Sequence, residues 1–438
     1  MKNTAAFLLM ALLAAPALSQ NVEPAPQTAS KATDAERADR VAQAALAATP
    51  VWDGHNDVPE QLRIRYRNMI DDFDFRDTSG IATQTPDHAA MHTDLVRLRK
   101  GRVGAQFWSV YVSAGLPEAE AVQATLEQID VMDRLIARYP DDLMLARSSA
   151  QVEAAMAKGR IASLLGMEGG HSIGSSLAVL RQMYGLGARY MTLTHSKNTP
   201  WADSATDVPA HGGLTPFGRD VVREMNRLGM LVDLSHVSEK TMHDTLDVAA
   251  APVIFSHSGA RGVNGHARNV PDSVLRRLPD NGGVVMVVGY APFVDEDLRQ
   301  WQSRLAAESA RLKALFLGQP DMVETNITAW LASNPQPQAT IADMADHIDH
   351  IRTMAGMDHI GIGGDYDGMD IVPVGMEDVA SYPALFTELA RRGYSQADLE
   401  KIASRNIMRV LKGAEAYAAA QSRQPPVETP LPAVSEPS

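Results

Sequence analysis

The chain contains no cysteine. This absence excludes disulfide bonds, metal sites built on thiolates, a cysteine nucleophile and a lipid anchor on an N-terminal cysteine. Any bound metal ion must therefore be held by histidine, aspartate or glutamate side chains. A chain without thiols is compatible with an oxidising compartment.

Runs of positive charge are also missing. The 438 residues carry 40 lysines and arginines against 53 acidic residues, which gives a net charge of −13. Such a surface repels nucleic acids and anionic membranes, so we expect neither as a partner. Hydrophobic residues make up 45% of the chain and charged residues 21%, which is typical of a globular protein with a large core.

Long hydrophobic runs are confined to the N-terminus. Lys2 precedes an apolar segment over residues 5–15, and small residues follow at 17–19. This order predicts a secretory signal peptide over residues 1–19, with an uncleaved anchor as the alternative. We therefore expect a secreted protein, located in a bacterial periplasm, with no membrane span after cleavage.

The rest of the chain divides into three parts. Residues 20–49 predict a linker and an N-terminal helix, residues 50–415 one α/β domain, and residues 416–438 a disordered proline-rich tail. Within the domain, short apolar runs alternate with longer amphipathic segments, which favours a (β/α)8 TIM-type barrel. The predicted strands cover residues 51–53, 104–112, 161–167, 188–194, 231–235, 253–256, 283–288 and 360–364.

Two segments exceed a minimal barrel. Residues 71–96 are polar, with few apolar positions, and predict a loop or a lid. Residues 294–338 contain a helical stretch followed by sequence that glycine and proline interrupt. We expect the second segment to be an insertion after the seventh strand.

The first predicted strand leads into His55 and Asp57. Because alternate side chains of an extended segment point the same way, these two can reach one metal ion. A surface turn is the alternative, since Asp-Gly and Asn-Asp pairs are common in turns.

Acidic or histidine residues also follow five other predicted strands. Glu168 ends an apolar strand, where a carboxylate is costly to bury without a partner, although a helix N-terminus would also accept it. His236 and His257 follow successive strands and would meet at the carboxyl-terminal rim, where active sites of such barrels lie. Each alone would be a structural histidine. The fourth and eighth strands lead into His195 and Asp365.

Histidine and carboxylate ligands without thiolates suit Zn²⁺, with Mn²⁺ and Co²⁺ as alternatives. Two ions about 3.5–4 Å apart can share a hydroxide and polarise a carbonyl group. The pattern therefore favours metal-assisted hydrolysis of an amide bond.

Seven motifs follow one another in a fixed order. They are DGHND at 53–57, EGGHS at 168–172, TLTH at 192–195 with NTPWAD at 198–203, VDLSH at 232–236, SHS at 256–258, HARNV at 266–270 and GGDYDG at 363–368. Over about residues 50–415 the chain thereby resembles the membrane (renal) dipeptidase family of the amidohydrolase superfamily. The resemblance implies a (β/α)8 barrel and a dipeptidase with two zinc ions.

The resemblance also implies the ligands. His55, Asp57 and Glu168 would bind one Zn²⁺ of each chain, and Glu168, His236 and His257 would bind the other. The two ions would be bridged by Glu168 and a hydroxide.

Three more residues acquire roles from the resemblance. His195 would contact the scissile peptide group, and Arg268 would bind the free C-terminal carboxylate of the substrate. Asp365 would take a proton from the attacking water and pass it to the leaving amine. From the residues alone, Arg268 is equally well a structural arginine beside a helix start, and Asp367 competes with Asp365.

We thus expect hydrolysis of small peptide substrates, namely dipeptides, with tolerance of a D-residue at the C-terminal position. Another amide or lactam hydrolase on the same scaffold, such as an N-acyl-amino-acid deacylase or a β-lactam hydrolase, is the alternative. A zinc- or peptide-binding protein without activity is a further alternative. The resemblance also suggests a homodimer, while Lys197 departs from the cysteine that mammalian relatives often carry there.

Overall fold

Parallel strands form the centre of the fold in the computed structural model, which describes residues 27–80 and 90–429. Nine strands are present within these ranges. Their bounds are β1 Val51–Asn56, β2 Val103–Ser109, β3 Leu143–Leu145, β4 Ile161–Glu168, β5 Ala188–Thr192, β6 Leu231–Asp233, β7 Ile254–Phe255, β8 Val284–Val288 and β9 Ile360–Gly363.

Eight of these strands close into a barrel. The neighbours run β2-β1-β9-β8-β7-β6-β5-β4, and β4 pairs with β2 to complete the ring. The short β3 lies outside the ring, where Leu143 pairs with Ile161 at the start of β4. The predicted (β/α)8 barrel is confirmed, and each predicted strand is present. β3 was not predicted.

Helices surround the strands and make up most of the remaining chain. Their bounds are α1 Gln27–Ala48, α2 Val58–Tyr66, α3 Leu95–Lys100, α4 Glu118–Arg138, α5 Ser149–Ala157, α6 Leu177–Leu186, α7 Pro216–Leu228, α8 Glu239–Val248, α9 Asp272–Leu275, α10 Leu278–Asn281, α11 Ala291–Val294, α12 Glu296–Leu315, α13 Pro320–Ser333, α14 Ile341–Ala355, α15 Tyr382–Arg391, α16 Gln396–Glu400 and α17 Asn406–Ala420. In the described ranges, none of these helices is long and apolar enough to cross a membrane.

The barrel strands are apolar on both faces because helices cover one face and the interior fills the other. Every residue of β2 and β8 is buried. Inside the barrel, the ring of Phe107 lies between Trp52 and Tyr190, with ring centroids 5.6 and 4.9 Å away. The cluster around them takes residues from seven of the eight barrel strands, so it fills the interior below the rim.

The predicted insertion follows the seventh barrel strand, β8, and contains α12 and α13. It has a small hydrophobic core of its own, which includes Leu298 and Trp301. No residue of α13 is buried. The insertion is therefore an addition to the rim and not part of the barrel wall.

The polar segment at 71–96 lies only partly within the described residues. Phe73 and Phe75 are buried, and Phe75 packs edge-on against Trp108 with ring centroids 6.0 Å apart. These two aromatic side chains anchor the start of the segment to the core, although its sequence is mainly polar. Residues 81–89 lie outside the described ranges.

The two ends of the chain differ from the expected domain boundaries. The predicted signal peptide at 1–19 lies outside the described residues. At the other end, residues 416–420 belong to α17 and not to a disordered tail. Val427 is also attached to the barrel wall, because its backbone N–H donates to Glu224 at 3.1 Å and its carbonyl accepts from Arg181 at 3.3 Å.

Candidate active site

Five predicted ligands meet at the carboxyl-terminal rim of the barrel. His55 lies near the end of β1 and Asp57 directly follows that strand, while Glu168 is the last residue of β4. His236 and His257 come just after β6 and β7. Strands that run in parallel end on the same side of the barrel, and this geometry brings together residues that are far apart in sequence.

The two carboxylate oxygens of Glu168 face different groups. Oε2 lies 3.4 Å from His55 Nε2, which is also 3.3 Å from Asp57 Oδ2. Oε1 lies 2.9 Å from His236 Nε2 and 3.3 Å from His257 Nε2. Glu168 therefore stands between two sets of donor atoms.

These donor atoms fit metal ions. The ligand atoms of His55, Asp57 and Glu168 lie within 4.8 Å of one another, as do those of Glu168, His236 and His257. Within the described residues, His55 Nε2 and Asp57 Oδ1 are buried and have no hydrogen-bond partner. Buried polar atoms normally have partners, so a cation is the group that these atoms are suited to bind.

Hydrogen bonds orient the histidine rings. Nδ1 of His55 lies 2.8 Å from the hydroxyl of Tyr190, and Nδ1 of His257 lies 2.8 Å from Ser256 Oγ. Ser256 Oγ in turn donates to Asp233 Oδ2 at 2.6 Å. These contacts direct the Nε2 atoms towards Glu168, which is how metal-binding histidines are commonly held.

Burial lowers the pKa of His236 and His257 well below the ordinary value, so both rings are neutral, the form that binds metals. Burial also acts to lower the pKa of His55. Tyr190 and the carboxylates of Glu168 and Asp57 nevertheless hold that pKa well above its ordinary value. The same negative charge would attract a metal ion.

His195 lies beside this cluster. Its ring centroid is 4.2 Å from that of His236, and its Nε2 is 3.7 Å from Glu168 Oε1. Burial lowers the pKa of His195 to about 4, so the ring is neutral at physiological pH. A neutral ring can donate one hydrogen bond, and Nε2 is the nitrogen that faces the cluster.

Arg268 is buried on another side of the site. Its guanidinium donates weakly to Ser258 Oγ at 3.4 Å and to the carbonyl of His257 at 3.3 Å. Its Nε has no partner among the described residues, and its Cζ lies 5.5 Å from the ring centroid of Phe293. Burial lowers the pKa of Arg268 to about 10, which still leaves it charged at neutral pH.

Asp365 and Asp367 have different environments. Asp365 lies within the donor cluster, since its carboxylate and the rings of His55 and His257 form a third group within 4.8 Å. Asp367 Oδ1 instead accepts a hydrogen bond from the backbone N–H of His92 at 2.8 Å. Three residues around the site have left-handed backbones, namely His236 with φ 68°, Asp365 with φ 62° and Asp367 with φ 68°.

A cavity of about 310 Å³ opens onto the cluster. This volume suits a ligand of the size of two amino acids. The residues that line it are Asp57, Glu60, Tyr111, Glu168, His195, His236, His257, Arg268, Tyr290, Phe293, Asp365 and Gly368. Asp367 is not among them.

Glu60, Tyr111 and Tyr190 belong to this site although no sequence motif marks them. Glu60 resembles an ordinary acidic residue in the first turn of a helix. Tyr111 follows a buried strand, and Tyr190 lies within one, as many core aromatic residues do. No local signal marks them, because their neighbours in the site come from distant parts of the chain.

Comparison with known proteins decides the family. A family model for membrane dipeptidases, peptidase family M19, matches residues 39–425. The chain belongs to the membrane dipeptidase family. Members of this family of metallopeptidases hydrolyse dipeptides, and membership implies a metal cofactor.

Two dipeptidases from other organisms match this dipeptidase over most of its chain. An uncharacterised dipeptidase of Schizosaccharomyces pombe is 41% identical over 392 residues, which cover 86% of this chain and 84% of the relative. Dipeptidase 3 of Macaca fascicularis is 41% identical over 396 residues, covering 89% of this chain and 70% of the relative.

Solved structures support the fold of the dipeptidase. The probable dipeptidase PvdM of Pseudomonas aeruginosa superimposes with a TM-score of 0.73 at 24% identity, covering 87% of this chain and all (100%) of that one. A metallopeptidase of Rhodobacter sphaeroides, crystallised with a phosphinate mimic of the dipeptide L-Ala-D-Ala, gives a TM-score of 0.66 at 24% identity. The match covers 84% of this chain and 99% of that one.

Proposed function

We propose that this dipeptidase uses two Zn²⁺ ions and selects short peptides that have a free C-terminal carboxylate. The observation that carries the proposal is the pairing of the donor cluster around Glu168 with the buried guanidinium of Arg268 in one cavity of about 310 Å³. The donor cluster would support hydrolysis of the peptide bond, and Arg268 would bind the C-terminal carboxylate of the substrate.

His55, Asp57 and Glu168 would hold one ion, and Glu168, His236 and His257 the other. Glu168 would serve both ions, because its two carboxylate oxygens face different sets of donor residues. When bound, two zinc ions lower the pKa of water and polarise a carbonyl group.

The remaining steps belong to side chains. His195 Nε2 donates a hydrogen bond to the oxyanion that develops on the peptide carbonyl, and this stabilises the transition state. Asp365 accepts the proton of the attacking water and delivers it to the leaving amine. Arg268 binds the C-terminal carboxylate through two parallel hydrogen bonds, which align the substrate.

Tolerance of a D-residue at the C-terminal position is part of the proposal. It is supported by the metallopeptidase of Rhodobacter sphaeroides with its mimic of L-Ala-D-Ala. In our proposal Arg268 holds the carboxylate itself, which both stereoisomers of the C-terminal residue carry.

A substrate panel tests the proposal. Purified protein is analysed for metal content and then assayed on L-L, L-D and D-L dipeptides, N-acyl-amino acids and a β-lactam. We expect about two zinc ions per chain, as a binuclear site requires, and the highest kcat/KM on L-L and L-D dipeptides. Faster turnover of N-acyl-amino acids or of the β-lactam would contradict the proposed specificity, and a metal-loaded protein without activity would indicate a binding protein.

Export and assembly are further parts of the proposal. We propose that residues 1–19 direct the chain to a bacterial periplasm and are then removed, and that the mature enzyme is a homodimer. N-terminal sequencing of the protein from a periplasmic extract tests the first statement. Sedimentation equilibrium of the mature chain tests the second, and a monomeric mass at micromolar concentration would contradict it.

A further inference from the structure

One carboxylate in the cavity has no part in the reaction described above. Glu60 lies in the first turn of α2, three residues after Asp57, and lines the same cavity. Among the described residues, it has neither a hydrogen bond nor an ion pair. An acidic side chain that is largely shielded from water normally has such a partner.

The usual structural roles of this position do not apply to Glu60. An acidic residue three positions after the N-cap can accept a hydrogen bond from the N-cap backbone. Here the backbone N–H of Asp57 donates instead to the carbonyl of Tyr366 at 2.9 Å. The nearby arginine on the same helix, Arg63, is also engaged elsewhere, since it donates to Glu127 at 2.9 Å.

Among the described residues, His55 is the one cationic side chain that acts on the pKa of Glu60. Burial and the neighbouring carboxylates of Asp57 and Glu168 together raise the pKa of Glu60 to about 8, with only His55 opposing. A positively charged partner would lower this pKa and favour the carboxylate form of Glu60. Arg268 is not among the charges that act on Glu60, nor is Glu60 among those that act on Arg268. The two charged groups line the same cavity and form no ion pair with each other.

Glu60 and Arg268 have different immediate neighbours in the cavity. Glu60 acts on the pKa of Tyr111, whose ring centroid is 4.7 Å from that of His195. Arg268 lies instead against Phe293 and the backbone of His257. A dipeptide in the cavity also has opposite charges at its two ends, and Arg268 would bind the negative end.

We propose that the Glu60 carboxylate binds a positively charged ammonium group on the N-terminal residue of the substrate. This inference rests on the proposed function and adds to it a second determinant of specificity. The ammonium group has two sources, the α-amino group and the side chain of an N-terminal lysine. Either would give Glu60 the partner that the described residues do not provide.

The test compares Glu60→Gln, which keeps the shape and removes the charge, with the parent. Four compounds separate the sources: Ala-Ala, its analogue propionyl-Ala without the α-amine, Lys-Ala and Leu-Ala. A charge-assisted contact of this kind predicts that KM of the affected substrate rises by about 10- to 100-fold. Little change in kcat is expected, because Glu60 has no part in the proposed proton transfer.

The pattern of losses identifies the source. A loss on the three dipeptides, with propionyl-Ala unchanged in turnover or in its inhibition constant, assigns Glu60 to the α-ammonium group. A loss confined to Lys-Ala assigns it to the side chain. Equal changes on all four compounds would overturn the inference.

Two controls keep the test specific. Glu127→Gln removes one negative charge outside the cavity and should leave KM unchanged on every compound. Glu60→Asp retains the charge and should restore part of the loss, while zinc content and Tm of all variants stay at the parental values. If the parent enzyme hydrolyses no dipeptide, the proposed function itself is wrong. If the parent is active but Glu60→Gln and Glu60→Asp have the same KM on each substrate, only this inference is wrong.

Discussion

At the scale of single residues, the proposed proton carrier, Asp365, and the proposed carboxylate-binding residue, Arg268, can each be tested by one substitution. Asp365 and Arg268 both line the cavity, and neither is among the five proposed ligands of the two ions. Their variants should therefore separate loss of chemistry from loss of metal.

Asp365→Asn should retain both metal ions yet lower kcat by about 10²- to 10⁴-fold, the range that general acid–base catalysis contributes. The backbone should not be disturbed, because asparagine tolerates the left-handed conformation of residue 365 with φ 62°. Metal analysis and steady-state kinetics on one dipeptide provide the measurement. Near-parental turnover would remove the proton-transfer role, and Asp367→Asn serves as the matched comparison.

Arg268→Lys should harm free dipeptides far more than dipeptides with a C-terminal amide. Lysine keeps the charge but cannot form two parallel hydrogen bonds to a carboxylate. We expect kcat/KM on the free dipeptide to fall by about 10-fold or more, as loss of one charge-assisted hydrogen bond predicts. Equal losses on the acid and the amide would mean that Arg268 does not bind the carboxylate.

Residue patterns predicted that these donor side chains would converge, but not the side chains that orient them. His55 and Asp57 share a strand end, and His236 and His257 follow strands of their own, so their convergence follows from the barrel. Tyr190, which holds His55, is 135 positions away in sequence. That contact depends on side-chain packing across the barrel interior, which no local pattern records.

At the scale of secondary-structure elements, one carboxylate connects three neighbouring strands. Asp233, the last residue of β6, accepts hydrogen bonds from the Thr192 hydroxyl of β5 and from the backbone and hydroxyl of Ser256, just after β7. Ser256 also contacts the ring of His257. The hydrogen bonds that hold these strands together therefore also orient a histidine of the donor cluster.

Asp233→Asn should therefore weaken both the fold and metal binding. In the variant, the NH2 group of asparagine replaces one carboxylate oxygen, which had accepted hydrogen bonds from Thr192 or Ser256. Each buried donor that loses its acceptor costs about 1–3 kcal/mol. Urea unfolding and zinc titration measure the two effects. Asp247→Asn, at a half-exposed position on α8, is the matched control and should change neither. An unchanged zinc affinity in Asp233→Asn would show that the network serves only the fold.

The barrel strands were predictable because short apolar runs alternate regularly with helical stretches. Each barrel strand lies within or close to its predicted range, and the insertion after β8 was evident from its amphipathic helix. Leu143–Leu145 lies outside the ring of eight strands, where it pairs only with β4, and β3 was missed. Residues 416–438 were predicted to be a disordered tail from their composition. Of the described residues, 416–420 instead belong to α17, and Val427 contacts Glu224 and Arg181, which depends on tertiary packing.

At the scale of the whole molecule, metal binding should contribute to stability. In the cluster, Nε2 of His236 lies 3.0 Å from Nε2 of His257, and buried atoms of His55 and Asp57 have no partner among the described residues. Ions that bind only the folded state at 100 times their Kd stabilise it by about 2.7 kcal/mol for each site.

Removal of metal with a chelator should therefore lower Tm by several degrees, and added zinc should restore it. Differential scanning calorimetry at a fixed protein concentration measures both changes. His236→Gly removes one proposed ligand without straining the left-handed backbone at this position and should show a smaller response to zinc. If chelation changed activity but not Tm, the ions would contribute to catalysis alone.

The left-handed backbones at His236, Asp365 and Asp367 also affect how the sequence of this site can vary. Such a conformation costs roughly 1–2 kcal/mol for most residues, less for asparagine and aspartate, and almost nothing for glycine. A mutational scan of these positions therefore measures conformational preference together with chemistry. Glycine and asparagine, rather than alanine, are the reference substitutions from which a side-chain contribution can be obtained. An engineered change of ligand at residue 236 would need a compensating gain elsewhere in the loop.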